Sequence, residues 1–83
     1  MRLDLFLKKT AIIKRRTIAK EIVEKGKIFV NGKTAKPSTE VKNGNIIKMF
    51  FGAHTIEVRA IIDLFRNKEV PSFEVLSDEK SAV

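Results

Sequence analysis

Apolar residues recur with helical spacing at the start of the chain and with strand-like alternation in its second half. Leu3, Phe6 and Leu7 stand at i, i+3 and i+4, which predicts one buried face of a short helix over residues 2–9. Thr10-Ala11 ends it, and Ile12-Ile13 anchors the connection in the core. A second helix is predicted from about Arg15 to Lys25, with Ile18, Ala19, Ile22 and Val23 as its apolar stripe. Gly26 occupies the left-handed position that terminates a helix, and Lys25 and Lys27 suit the negative end of its dipole. The period then changes. Lys27–Val30 reads as a strand, Asn31-Gly32 as a tight hairpin turn in which both residues tolerate positive φ, and Lys33–Lys36 as the returning arm. Pro37-Ser38-Thr39 marks a loop with Val41 as a core plug beneath it. Asn43-Gly44 turns the chain into Ile46–Phe51, and Gly52-Ala53 turns it into His54–Ile62. That last run places Ile56, Val58, Ala60 and Ile62 on one face and Thr55, Glu57, Arg59 and Ile61 on the other. Leu64–Pro71 is less regular, Ser72–Leu76 adds a short edge strand, and Ser77–Val83 reads as a frayed tail. The pattern predicts an α+β domain: two N-terminal helices packed on a small, twisted, mostly antiparallel sheet. Residues 1–76 form this one domain and residues 77–83 its flexible tail.

Composition narrows what such a domain can do. With 83 residues there is room for one core, and a chain of this size buries roughly 60% of its unfolded surface. At 43% hydrophobic and 33% charged, it is too apolar for disorder and too charged for a membrane. Its longest apolar run, Ile46–Phe51, is interrupted by Lys48 and far too short to span a bilayer. No secretory leader opens the chain, and the absence of cysteine excludes disulfides and thiolate chemistry, so a cytoplasmic location is expected. The single histidine, His54, cannot build a metal site of the usual His/Cys kind. The four glycines stand singly, so no phosphate-cradling loop is present. No cofactor, small-molecule substrate or enzymatic activity is expected.

Charge supplies the functional signal. Residues 1–48 carry 13 Lys/Arg against 4 Asp/Glu, whereas residues 49–83 carry 4 against 6. So steep an asymmetry in one small domain predicts a surface that faces a polyanion, RNA above all. On the second helix Arg16 and Lys20 flank the apolar stripe one turn apart. Lys14 and Arg15 lie at its amino end, where positive charge opposes the dipole. Concentrating cations there costs helix stability, which makes sense if an anion sits against the helix end. Arginine offers a planar fork for phosphate and lysine a point charge. The apolar faces of both helices are needed for the core, which leaves no stripe to insert into a lipid surface. Asp4 reads either as a dipole-favourable, capping carboxylate or as a partner that orients Arg16. Arg2 faces Phe6 at i+4 and so has no intrahelical acid, which leaves its charge for an outside partner. Phe6, Phe29 and one of Phe50 and Phe51 fit buried positions. No paired aromatics are expected on neighbouring strands, so base stacking is not anticipated. His54 is expected in an exposed loop.

Taken in order, Arg2-Leu3-Asp4 with Leu7, Arg16-x-x-Ala19, Gly26, Val30-Asn31-Gly32, Pro37, Val41 and Gly44 resemble the RNA-binding domain named after small-subunit ribosomal protein S-four, over about residues 1–52. The short length and the KRRTIAKE segment make the chain similar to the RqcP-like family of bacterial ribosome-associated quality-control factors, related to the heat-shock protein fifteen family. The resemblance implies the S-four-like, αL-type fold. It also implies binding to ribosomal RNA and to peptidyl-tRNA on stalled large ribosomal subunits, in support of alanine tailing by a larger RqcH-type factor. By motif match it assigns RNA contacts to Arg2 and Arg16, with Lys14, Arg15 and Lys20 adjoining and Asp4 supporting. Two departures stand out. Arg15 replaces the small hydroxyl residue common before the second-helix arginine, and Asn43-Gly44-Asn45 replaces Pro-Gly-Asp. Residues 53–83 match only loosely and receive no partner contacts. The alternatives are rescue or recycling of dissociated large subunits without tailing, and a protein–protein module for which RNA binding is incidental.

Overall fold

The computed structural model describes residues 1–80. Helices α1 (Leu3–Lys9) and α2 (Arg16–Glu24) are followed by strands β1 (Ile28–Val30), β2 (Lys33–Thr34), β3 (Ile46–Phe51), β4 (His54–Phe65) and β5 (Lys68–Lys80). The strands form one sheet in the order β2-β1-β3-β4-β5, with every neighbouring pair antiparallel.

A seven-residue helix such as α1 is too short to persist on its own, because nucleation outweighs the few bonds it closes. Tertiary packing holds it: Leu3, Phe6 and Leu7 are completely buried. Its first amides are tied to the loop after β2, Leu3 N–H donating to Thr39 O at 2.8 Å and Asp4 N–H to Pro37 O at 3.2 Å. Its far end is closed by the Thr10 hydroxyl, which donates to Phe6 O at 2.7 Å. Ala11 then turns the chain with φ 59°, a left-handed conformation that an alanine adopts only under constraint.

Helix α2 buries a narrower stripe than its sequence suggests. Ala19 and Val23 are buried and Ile22 packs on the core edge, but Ile18 is 41% exposed. At 100° per residue Ile18 lies about 120° around the helix from the Ala19–Val23 line, too far to reach the core. Loops complete the core with Ile13, Ala35 and Val41. The Val41 amide donates to Met1 O at 2.7 Å, which seats this loop against the amino terminus.

Ile28, Val30, Ile47, Met49, Val58 and Ala60 line the helix-facing side of the sheet, and Ile56 and Ile62 pack at its margins. Asparagines tie off the turns. The Asn31 carboxamide oxygen accepts from Ile46 N–H, and that of Asn43 accepts from Ile62 N–H. Asn31 and Gly32 both have positive φ, as their hairpin requires.

The C-terminal hairpin is longer and more regular than its sequence pattern suggests. β4 runs on through Phe65, and β5 starts at Lys68 and pairs back to His54. Arg66 and Asn67 make the two-residue turn with φ 52° and 65°. Neither is a glycine, so the turn carries no strong sequence signal. Pro71 is tolerated because β5 is an edge strand. Glu57 pairs with Ser77 and Val58 with Val75, so Leu76 forms a bulge. Ser77–Lys80, the first part of the expected tail, therefore belongs to the strand, and its last three residues lie outside the described ones. The hairpin stretches the molecule to 46 × 24 × 22 Å and leaves Leu64 73% exposed.

Candidate nucleic-acid interface

The carbonyls of Pro37 and Thr39 receive the first two amides of α1, and the Asp4 carboxylate receives the third, from Leu5. Although Asp4 is only 2% exposed, each of its carboxylate oxygens meets an arginine. Oδ1 accepts from Leu5 N–H at 2.8 Å and from Arg2 Nε at 3.3 Å. Oδ2 accepts from Arg2 Nη2 at 3.4 Å and from Arg16 Nε at 3.3 Å. One buried carboxylate thus clamps two arginines that are twelve or more residues apart in sequence. Both readings of Asp4 hold: its carboxylate satisfies a first-turn amide of α1 and also holds Arg2 and Arg16.

The arginine side chains stay 52% and 48% exposed, so each ion pair is screened and contributes at most about 1 kcal/mol to stability. Their importance is directional. Asp4 holds Nε of both arginines and Nη2 of Arg2, while the remaining guanidinium N–H groups have no hydrogen-bond partner among the described residues. Arg2 is therefore not free of acidic partners, as the i+4 spacing suggests. It precedes α1 in an extended conformation (φ −65°, ψ 146°), bridged to Glu40, and meets Asp4 at i+2.

Lys20 lies one turn beyond Arg16 and shares a cleft with Arg2. Lys14 and Arg15 are exposed ahead of α2, and among the described residues no ion pair or side-chain hydrogen bond joins them to the Asp4 group. The start of α2 has no side-chain cap and no acid in its first turn, so its amides remain open to an anion. Sequence reasoning passed over two features. Lys36 belongs to the same cleft as Arg2 and Lys20, although only its place beside a loop proline hinted at this. On the outer face of the sheet, Phe29 of β1 and Phe50 of β3 meet edge-to-face at 5.7 Å, with Lys48 5.6 Å above the Phe50 ring. Neighbouring strands do carry paired aromatics, and Phe29 is half-buried there instead of in the core. Their pairing depends on the β1–β3 register, which hydrophobic spacing alone does not fix. His54 opens β4 with Nδ1 3.4 Å from an Asp78 oxygen, so it is a strand residue and not a loop one. Among the described residues, no three His, Cys, Asp or Glu side chains gather as a metal site, and no helix is long and apolar enough to cross a membrane.

Residues 1–47 match the S4 domain family. Over 83 residues the chain is 41% identical to the RQC P-site tRNA stabilizing factor of Bacillus subtilis, covering 96% of both chains. The chain belongs to the S4 domain family and, within it, to that of the RQC P-site tRNA stabilizing factors. The relative of that name from Listeria monocytogenes is 52% identical over 59 residues, a match spanning 71% of this chain and 64% of that one. Among solved structures, heat shock protein 15 of Vibrio cholerae, itself described as trimeric, superposes with a TM-score of 0.67 at 34% identity, covering 82% of this chain and 67% of that one. This likeness agrees with the α+β architecture of two helices on an antiparallel sheet. The S4 match includes Arg2, Asp4, Arg16 and Lys20 and ends within β3, so the β4–β5 hairpin lies beyond it.

Proposed function

We propose that the protein is a non-enzymatic RNA-binding adaptor of ribosome-associated quality control in the cytoplasm. It binds ribosomal RNA and peptidyl-tRNA on stalled large subunits and supports alanine tailing of the nascent chain by an RqcH-type factor. One observation carries the RNA-binding part: the buried Asp4 clamp, which holds the half-exposed Arg2 and Arg16 side chains from two separate elements. Fixed guanidinium forks suit phosphate oxygens, and holding them in advance reduces the side-chain entropy lost on binding. Lys20, Lys14 and Arg15 extend the positive field around the uncapped start of α2. The ribosomal task rests on the names of the relatives from Bacillus and Listeria.

Co-sedimentation with large ribosomal subunits tests the site. Arg16→Ala weakens pelleting at moderate salt while the thermal midpoint moves by only a few degrees; equal pelleting of variant and wild type would sink the assignment. Arg59, on the outer face of the sheet and ion-paired to Glu74 at 3.7 Å, provides the control. Arg59→Ala removes the same unit of charge and leaves pelleting unchanged. The likeness to heat shock protein 15 favours one second reading, recycling of dissociated large subunits without tailing. Cells lacking the protein decide between the two: loss of alanine tails on stalled nascent chains supports the first, and intact tails support the second.

A further inference from the structure

Next to the arginine clamp, Arg2 forms one wall of an open cleft of about 510 Å³. Lys20 on α2 and Lys36 after β2 supply two more cations at its rim, each from a separate part of the chain. Its apolar lining residues are Val23, Ala35 and Pro37; the first two are 1% and 6% exposed, so the half-buried Pro37 is the one with appreciable surface open to a ligand. Glu24 is the one acid among the lining residues. The cleft exists because the Lys36–Thr39 turn is locked, with the Thr39 hydroxyl accepting from Lys36 N–H at 2.8 Å, and is bonded to the start of α1.

A run of backbone phosphates needs positive charge but no apolar recess. A recess ringed by cations fits something with both a flat, poorly hydrated face and an anionic group. We propose that this cleft receives one unpaired ribonucleotide of the RNA that Arg2 and Arg16 contact, an inference that rests on the function proposed above. The phosphate lies toward Arg2, Lys20 and Lys36, and the sugar or base lies on the Pro37 ring. Single-stranded bases are the parts of an RNA that can be splayed into such a recess. The Glu24 carboxylate repels phosphate and can only accept hydrogen bonds, so it faces a donor of the nucleotide, the ribose 2′-hydroxyl or a base N–H.

The test uses the full chain and named probes. Backbone amide resonances are followed by NMR during titration with AMP, GMP, CMP and UMP, and in parallel with inorganic phosphate. Saturable shifts at Lys20, Glu24, Gly26, Lys36 and Ser38 with at least one nucleotide, absent with phosphate, support the inference. The same shifts with phosphate alone reduce the cleft to an anion site and overturn it. Ser38→Trp, at an exposed rim position, fills the recess and replaces no core residue and none of the clamp residues. It should abolish the nucleotide shifts, leave the thermal midpoint unchanged and weaken large-subunit pelleting by at least about tenfold, the scale of one lost nucleotide contact. Undiminished pelleting of Ser38→Trp beside impaired Arg16→Ala overturns the cleft and leaves the RNA-binding reading standing. Wild-type pelleting of Arg16→Ala overturns that reading instead, whichever way the titration falls.

Discussion

Replacing Asp4 by Asn separates two roles that a buried acid among arginines could have. If Asp4 only neutralised charge, removing it would strengthen RNA binding. One unit of positive charge released about 6 Å from a phosphate is worth about 0.7 kcal/mol in water-like dielectric, or roughly threefold in affinity. If Asp4 positions the forks, binding weakens. A free arginine side chain carries about 2 kcal/mol of rotamer entropy, and releasing Arg2 and Arg16 even half-way costs about 1 kcal/mol each on re-ordering. Set against the electrostatic gain, the net loss is about 1.3 kcal/mol, close to tenfold. The Asn oxygen can keep the bond from Leu5 N–H, but its amide group then points at Arg16 Nε, donor against donor. That mismatch costs about 1–2 kcal/mol, which lowers the thermal midpoint by roughly 5–15 °C and leaves the domain folded at 25 °C. The assay is pelleting of large ribosomal subunits over a potassium series, with circular dichroism to confirm the fold. Equal or tighter binding of Asp4→Asn at every salt concentration would refute the positioning role.

Three further outcomes follow from the same geometry. If the cleft cations share one phosphate and Lys14, Arg15 and Arg16 each neutralise another, log affinity falls with log salt at a slope of about −3, and Arg16→Ala makes the slope shallower by about 0.7; a slope indifferent to the substitution removes Arg16 from the interface. Val41 is 1% exposed beneath the loop that seats the amino terminus, so Val41→Ala costs about 2 kcal/mol and lowers the midpoint by roughly 8–16 °C in a thermal melt. An unchanged midpoint would show that the loop does not belong to the core. Ala11 is held at φ 59°, so Ala11→Gly should stabilise the domain by about 0.5–1 kcal/mol in urea unfolding, whereas destabilisation would mean that the left-handed turn is not populated.

Both helices, the first hairpin and the core alternation of β4 were legible because each is written in local spacing: Leu3/Phe6/Leu7, Asn31-Gly32 and Ile56/Val58/Ala60/Ile62. The C-terminal hairpin is only partly legible: spacing predicts His54–Ile62 and Ser72–Leu76 but not their continuation to the turn between Phe65 and Lys68. β5 reads poorly because an edge strand tolerates Pro71 and the Leu76 bulge, and because the Arg66-Asn67 turn holds φ values that these residues rarely advertise. Ile18 was misplaced for a different reason. The sequence shows which residues are apolar, but with only nine residues in α2 the core meets just the line through Ala19 and Val23.

The site divides along the same boundary. Its cations were countable in the sequence, and Arg16 and Lys20 were placed together by helical spacing. What makes them a site is the Asp4 clamp: the carbonyls of Pro37 and Thr39 take the first two amides of α1, Oδ1 takes the third, and Oδ2 is left to the arginines. The loop that supplies these carbonyls also sets Lys36 in the same cleft as Arg2. A change in this loop should therefore disturb the arginine forks and the cleft together, even where it touches no arginine. Thr39→Val removes the hydroxyl that locks the turn yet keeps the shape and the backbone carbonyl. If binding is lost with Thr39→Val while Leu3 stays protected from hydrogen exchange, the loop positions the interface and does more than hold the helix.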